Sequence, residues 1–275
     1  MSTTATHRDV FRSGSTTYFN SSLFFPQSIR DDVSVLYGFV RVADNFVDAV
    51  PQDADGFHRF VDSYRRAKGG AATGDQIVDS FVALAERLDF DDAWTEAFLG
   101  AMERDLSQRV YETLEATLEY VYGSAEVIGL YMNRILRVPT EADEPARLQG
   151  RAMQFINFIR DIDEDNGLGR TYLPLSETTL PDLREATART NAAEFTRFIR
   201  AQLDRYEQWQ RAAEAGYRYL PRRVRIPIQT ASDMYNWTAR RIAADPFVVY
   251  RRKVKPTRMR ILARIARNTV IPAGR

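Results

Sequence analysis

Three observations predict an all-α fold in a single domain. Apolar residues recur at helical spacing along most of the chain, no stretch alternates convincingly as a strand would, and turn chemistry separates the periodic segments. The 275 residues are enough for one sizeable core. No repeat, low-complexity tract or shift in composition marks a boundary, so one helical domain over 1–275 is the simplest reading.

From the N-terminus, the opening MSTTATHRDVFRSG lacks the apolar h-region of a secretory leader. Helices are predicted over about 30–50, 57–68, 75–88, 91–110, 113–137, 145–166, 191–219, 227–243 and 256–268. The breaks hold PQDADG from 51, KGGAATGD from 68, VPTEADEP from 138, DNGLG from 165 and LPRRVRIP from 220. Residues 173–190 form the longest expected loop. No run approaches the roughly 18 apolar residues of a membrane span, which predicts a soluble, cytoplasmic protein.

Composition narrows the chemistry. A formal net charge of +1 gives no preference for nucleic acid, and the absence of cysteine excludes disulfides, thiolate nucleophiles and Cys-based zinc sites. The two histidines, His7 and His58, are far apart, which argues against a His-ligated metal or a His-based triad. Charge is uneven at one place. From Arg251 the chain reads RRKVKPTRMRILARIARNTVIPAGR, with many bases and no acid. This segment is a solvated basic helix, a lid of cations over an anionic ligand, or a surface that docks peripherally on anionic lipid.

Two predicted helices carry most of the functional signal. In DDVSVLYGFVRVADNFVDAV, residues 31–50, Tyr37, Arg41, Asp44 and Asp48 fall within an arc of roughly 60°, with Ser34 and Asn45 at its edge. The remainder is almost wholly apolar, the reverse of a surface helix, so the helix is expected to be buried with its charged stripe lining a cavity. In the second helix Gly150, Gln154, Asn157, Asp161 and Asp165 share a stripe, flanked by Arg160 and Glu164. Met153, Phe155, Ile156, Phe158, Ile159 and Ile162 cover the rest, and a glycine-terminated end is expected at Asn166-Gly167.

Two i,i+4 carboxylate pairs on core helices are costly to bury unless paired or metal-bound, and one arginine on each helix is too few to neutralise them. Mg²⁺ suits such a site, because it takes oxygen ligands and commonly uses one or two carboxylates together with substrate phosphates. DIDEDNG also has the look of a calcium loop. With Asp161 at loop position one, however, the required glycine and glutamate positions hold Asn166 and Tyr172.

YGFVRVADNFVD and QFINFIRDIDEDNGLGRTYLP resemble the two aspartate-rich signatures of the squalene and phytoene synthases. The second includes Gln154, Asn157, Arg160, Asp161, Glu164, Asp165, Arg170, Tyr172 and Pro174. The resemblance extends in order to GSTTYFNSSLFFP from 14, YVYGSAEVIG from 120, Tyr235 and YRRKVK from 250. It implies an isoprenoid-synthase-type helical bundle around a central cavity. It also implies that Asp44, Asp48, Asn157, Asp161 and Asp165 hold Mg²⁺, with Mn²⁺ able to replace it. Ser15, Thr17, Arg41, Arg160, Tyr235 and Arg251 are implied to bind diphosphate, and Tyr37, Tyr120, Gly129, Gly150, Gln154 and Tyr172 to shape the prenyl cavity. Gly129 and Gly150 would either leave room for an isoprenoid or allow close helix packing. Two departures are visible: Asn45 stands where the first signature often has a second aspartate, and Thr17 where a serine is common.

The family pattern implies head-to-head joining of two prenyl diphosphates through a cyclopropylcarbinyl diphosphate. Overall likeness points to phytoene from two C20 substrates. The alternative is a C15 enzyme making squalene, dehydrosqualene or presqualene diphosphate, with NADPH needed only for squalene. A different class, a non-enzymatic relative acting as a binding or assembly factor, would have no need of four buried aspartates. The sequence carries no signal of oligomeric state.

Overall fold

The computed structural model describes residues 25–270. Its helices are α1 (Gln27–Asp48), α2 (Ala54–Lys68), α3 (Gln76–Arg87), α4 (Asp92–Ser107), α5 (Leu114–Val121), α6 (Val127–Leu136) and α7 (Asp143–Arg160). They continue with α8 (Ile162–Gly167), α9 (Glu185–Thr190), α10 (Ala192–Glu214), α11 (Arg222–Ala244), α12 (Val248–Arg251) and α13 (Arg258–Val270). Extended pairing among these residues is limited to an isolated bridge between Val110 and Thr171, so the predicted all-α class holds.

Local chemistry starts several of these helices where the sequence places a cap. The carboxylate of Asp53 accepts from the Gly56 amide, that of Asp75 from Ile77 and Val78, and that of Asp91 from Ala93. Each satisfies amides that have no partner within the helix. Apolar stripes then set the packing. Phe39 of α1 stacks on Phe81 of α3 with centroids 3.8 Å apart and meets Phe60 of α2 at 5.0 Å. Helix α7 lies among α6, α10 and α11, and its Ala152, Phe155, Ile156 and Ile159 are fully enclosed.

Two glycines let backbones touch. A Cβ on Gly129 would sit 2.2 Å from the Ala146 carbonyl oxygen, and one on Gly150 would sit 2.3 Å from that of Ala125. Close helix crossing is therefore a physical reason for both glycines, although both also face a cavity.

The structure departs from the predicted elements in several places, among them the unpredicted short helix α12. The 113–137 helix is interrupted by a π turn over Tyr122–Glu126. The 145–166 helix breaks at Asp161, whose φ of −100° and ψ of 15° leave the helical region. The expected 173–190 loop contains α9, six residues without an amphipathic pattern, anchored by the enclosed Ala188. Helix α11 starts at Arg222 rather than 227. Pro227 lies just beyond its first turn, and the carbonyl its missing amide leaves free belongs to the exposed Arg223. Among the described residues, no helix is long and apolar enough to cross a membrane.

Candidate active site

Helices α1, α7 and α11 run the length of two adjoining cavities and change character along the way. An apolar chamber of about 420 Å³ takes Val33 and Leu36 from α1, Ala146, Gly150 and Met153 from α7, and Pro227 and Ile228 from α11. A polar chamber of about 1090 Å³ takes Arg41, Asp44 and Asp48 from α1, Arg160 from α7, Asp161 from the break after it, and Thr238 from α11. Tyr37, Val40, Ser124, Gln154, Asn157 and Tyr235 line both and form the neck between them. The two polar stripes thus face one space, and helical periodicity is what aligns them.

In the polar chamber Asp44 and Asp165 stand out. Burial, and then the neighbouring Asp48, push the Asp44 carboxyl up to about 7 against the pull of Arg41. Burial, and then Asp161, push Asp165 up to about 7 against Arg170. Neither makes an ion pair among the described residues. Asp161 is paired with Arg160, whose Nε donates to it at 2.9 Å, and with Lys253 at 3.5 Å. Lys253 also pairs with Glu164.

The expectation of too few cations is revised. Arg170, Lys253 and Lys255 join Arg41 and Arg160, giving five bases against six acids along the chamber wall. Arg170 arrives there through the end of α8. The Arg170 amide donates to the Asp165 carbonyl at 2.8 Å and the Gly169 amide to Asn166 at 3.0 Å. Gly169, with φ of +70°, makes that reversal, rather than Gly167. The guanidinium then donates to Asp48 at 3.1 Å and to the Val47 carbonyl at 2.9 Å.

An aromatic wall closes one side. Tyr172 stacks on Phe158 at 4.4 Å and on Tyr111 at 5.4 Å, with Tyr120 5.2 Å away. The hydroxyls of Tyr120 and Tyr172 both donate to Asp105, at 2.6 and 3.0 Å. Burial raises the pKa of both phenols, with Asp105 adding to it, and so keeps them neutral donors. Asp105 was not recognisable in sequence: AMERDLSQR holds it beside Glu103 with no distinguishing pattern, and only Tyr120 of α5 and Tyr172 give it a role.

At the neck the π turn presents Ser124, whose buried hydroxyl has no hydrogen-bond partner among the described residues. The turn is held by Glu126, fully enclosed and bonded by Arg151 at 2.6 Å and Arg147 at 3.0 Å. Asn157 Oδ1 is likewise buried without a partner among the described residues.

These features bear on the implied metal. No three His, Asp or Glu side chains among the described residues converge to hold an ion alone. Two desolvated, unpaired carboxylates and an unsatisfied amide oxygen still suit Mg²⁺ that takes its other ligands from phosphate and water. The residues fit the group.

Of the sequence-predicted site residues, Tyr37, Arg41, Asp44, Asp48, Tyr120, Gln154, Asn157, Arg160, Asp161, Asp165, Tyr172 and Tyr235 all line the polar chamber. Gly129 and Gly150 line the apolar one. Arg251 lines neither and pairs with Asp245 on the outer surface, leaving its expected place to Lys253 and Lys255. Ser15 and Thr17 lie outside the described residues.

The squalene/phytoene synthase family pattern matches residues 11–260. A 15-cis-phytoene synthase of a Paracoccus species is 29% identical over 92% of this chain and 86% of its own length. A phytoene synthase of Cereibacter sphaeroides is 30% identical over 91% of this chain and 75% of its own. Among solved structures, a dehydrosqualene synthase superposes with a TM-score of 0.85 at 19% identity, covering 96% of this chain and 94% of that one. The squalene synthase HpnC from Alicyclobacillus acidocaldarius superposes with a TM-score of 0.80 at 21% identity, covering 89% and 94%. The last two speak to fold alone.

Proposed function

Because the chain belongs to the squalene/phytoene synthase family, we propose that it joins two C20 prenyl diphosphates head to head to give phytoene. It is a prenyltransferase. The observation that carries the finer reading is the pairing of an acidic, cation-rimmed chamber with an apolar one through a single neck. A diphosphate belongs in the first and its hydrocarbon tail in the second.

Asp44, Asp48, Asn157, Asp161 and Asp165 would hold Mg²⁺, which when bound supplies positive charge to the departing diphosphate. Arg41, Arg160, Lys253 and Lys255 orient the diphosphate oxygens from the chamber wall, with Tyr235 at the neck. The carbon–oxygen bond breaks with its electron pair leaving on diphosphate, and the second substrate's double bond attacks the allylic cation. Proton loss closes the cyclopropane. The second diphosphate then leaves, the skeleton rearranges, and a further proton loss yields the hydrocarbon. The aromatic wall of Tyr172, Tyr120 and Phe158 keeps water out.

Chamber depth supports the longer substrate. From Asn157 to Pro145, α7 rises about 18 Å. A C20 tail spans about 19 Å fully extended and a C15 tail about 14 Å, from ordinary carbon–carbon bond lengths. The C20 relatives named above support the same choice. Unpaired acids in the polar chamber speak against a purely structural relative, which would gain stability by losing them.

Asp44→Asn and Asp161→Asn test the reading. Each is expected to lower turnover at least 100-fold and to weaken Mg²⁺ binding. Unchanged turnover in both variants would overturn it.

A further inference from the structure

The outer face of α13 exposes large apolar side chains to solvent. Helix α13 lies antiparallel on α11: Arg264 pairs with Asp233, Asn268 donates to Thr230 at 3.1 Å and to Asp233 at 2.8 Å, and Arg260 lies 4.8 Å over Trp237. Such contacts use the polar residues of the helix. Ile261 and Ile265 share that inward face half-buried, but a second set of apolar residues points the other way. Met259 is 75% exposed, Leu262 60% and Val270 77%, with Ala263 and Ala266 exposed between them.

At 100° per residue these five positions span an arc of about 100°. Arg258 and Thr269 border it on one side, Arg260 and Arg267 on the other, all exposed. A helix that merely closes a fold turns its apolar stripe inward. This one keeps only Ile261 and Ile265 inward and turns a wider apolar stripe outward between arginines, the arrangement of a helix lying in a lipid interface. Residues 246–275 contain nine basic side chains and no acidic one, so the face complements a negative surface and repels a positive one.

We propose that α13 docks the protein on an anionic phospholipid surface, with Met259, Leu262 and Val270 entering the headgroup boundary and Arg258, Arg260 and Arg267 meeting lipid phosphates. The place of the helix gives the docking a use. Arg222, at the start of α11, donates to the Thr269 carbonyl, and Leu220, Pro227 and Ile228 beside it line the apolar chamber. The far end of α13 therefore adjoins the chamber where a hydrocarbon product would sit. That use rests on the function proposed above, whereas the docking itself rests on the helix face.

Flotation of the full chain with vesicles tests it without any turnover. Binding is expected to phosphatidylcholine vesicles containing about 30% phosphatidylglycerol, to fall at least tenfold in phosphatidylcholine alone, and to weaken with salt. Met259→Glu combined with Leu262→Glu is expected to abolish flotation while leaving turnover in detergent micelles unchanged. Failure of the wild-type chain to float, or equal flotation of the double variant, would overturn the proposal. So would a wild-type dimer in sedimentation that the double variant dissociates, since a second copy would then be the occupant. Loss of turnover with flotation intact would count against the proposed activity and leave the docking standing.

Discussion

Asp44 and Asp165 are where fold and function pull hardest against each other. A carboxyl held near 7 is protonated in the folded protein over a range in which the unfolded chain, with an ordinary aspartate near 3.9, is ionised. Between about pH 4 and 7 the native state binds more protons than the unfolded state, so metal-free stability falls as pH rises through that window. Asp44→Asn removes the penalty. In melts without metal it should raise Tm at pH 8 and leave Tm at pH 4 nearly unchanged. Metal binding has the opposite sign, because Mg²⁺ must displace the protons. Calorimetric titration with Mg²⁺ and pyrophosphate should give weaker binding at pH 6 than at pH 8, by up to about tenfold per unit for each proton displaced. Both pairs were legible in sequence from their shared stripes. Their unpaired state was not, because it depends on Arg160 and Lys253 choosing Asp161 instead.

At the scale of elements, the turn after α8 and the crossings at α7 carry the geometry. Gly169 has a left-handed backbone and open space where a Cβ would go, so Gly169→Ala should cost only about 1 kcal/mol in denaturant unfolding and keep activity. Arg170→Ala, one residue later, should remove activity as well as stability, since the Asp48 contact and the positive charge beside Asp165 go with it. Gly150→Ala is a different case. Its Cβ meets the fixed Ala125 carbonyl, so overpacking should cost about 1–3 kcal/mol. If it instead left stability untouched and shortened the product, Gly150 would be a cavity residue first and a packing residue second. Helix periodicity placed the long helices within a few residues. It could not foresee the π turn over 122–126, in which Glu126 binds two arginines from α7, nor α9, which has no periodicity to find.

For the whole molecule, the central feature is the gradient from acid to hydrocarbon along α1, α7 and α11. Sequence made the polar ends visible because charge on an apolar helix is conspicuous. The apolar chamber was legible only through the residues the resemblance implied, Tyr37, Gly129, Gly150 and Gln154, because the rest of its lining, such as Ala146, Met153 and Ile228, reads as ordinary core until the structure leaves space between them. Long-range placement was also beyond reach for Arg251, which the signature put at the diphosphate and the fold puts beside Asp245. The basic tail divides accordingly: Lys253 and Lys255 reach the polar chamber, while α13 faces outward.

The most direct measurement offers C15 and C20 prenyl diphosphates separately to the protein with Mg²⁺ and without NADPH, and identifies products by mass spectrometry. Phytoene from the C20 substrate, with little turnover of C15, is the predicted result. A C30 hydrocarbon or presqualene diphosphate from the C15 substrate would contradict the C20 assignment, and no product from either would contradict the catalytic reading of the two chambers.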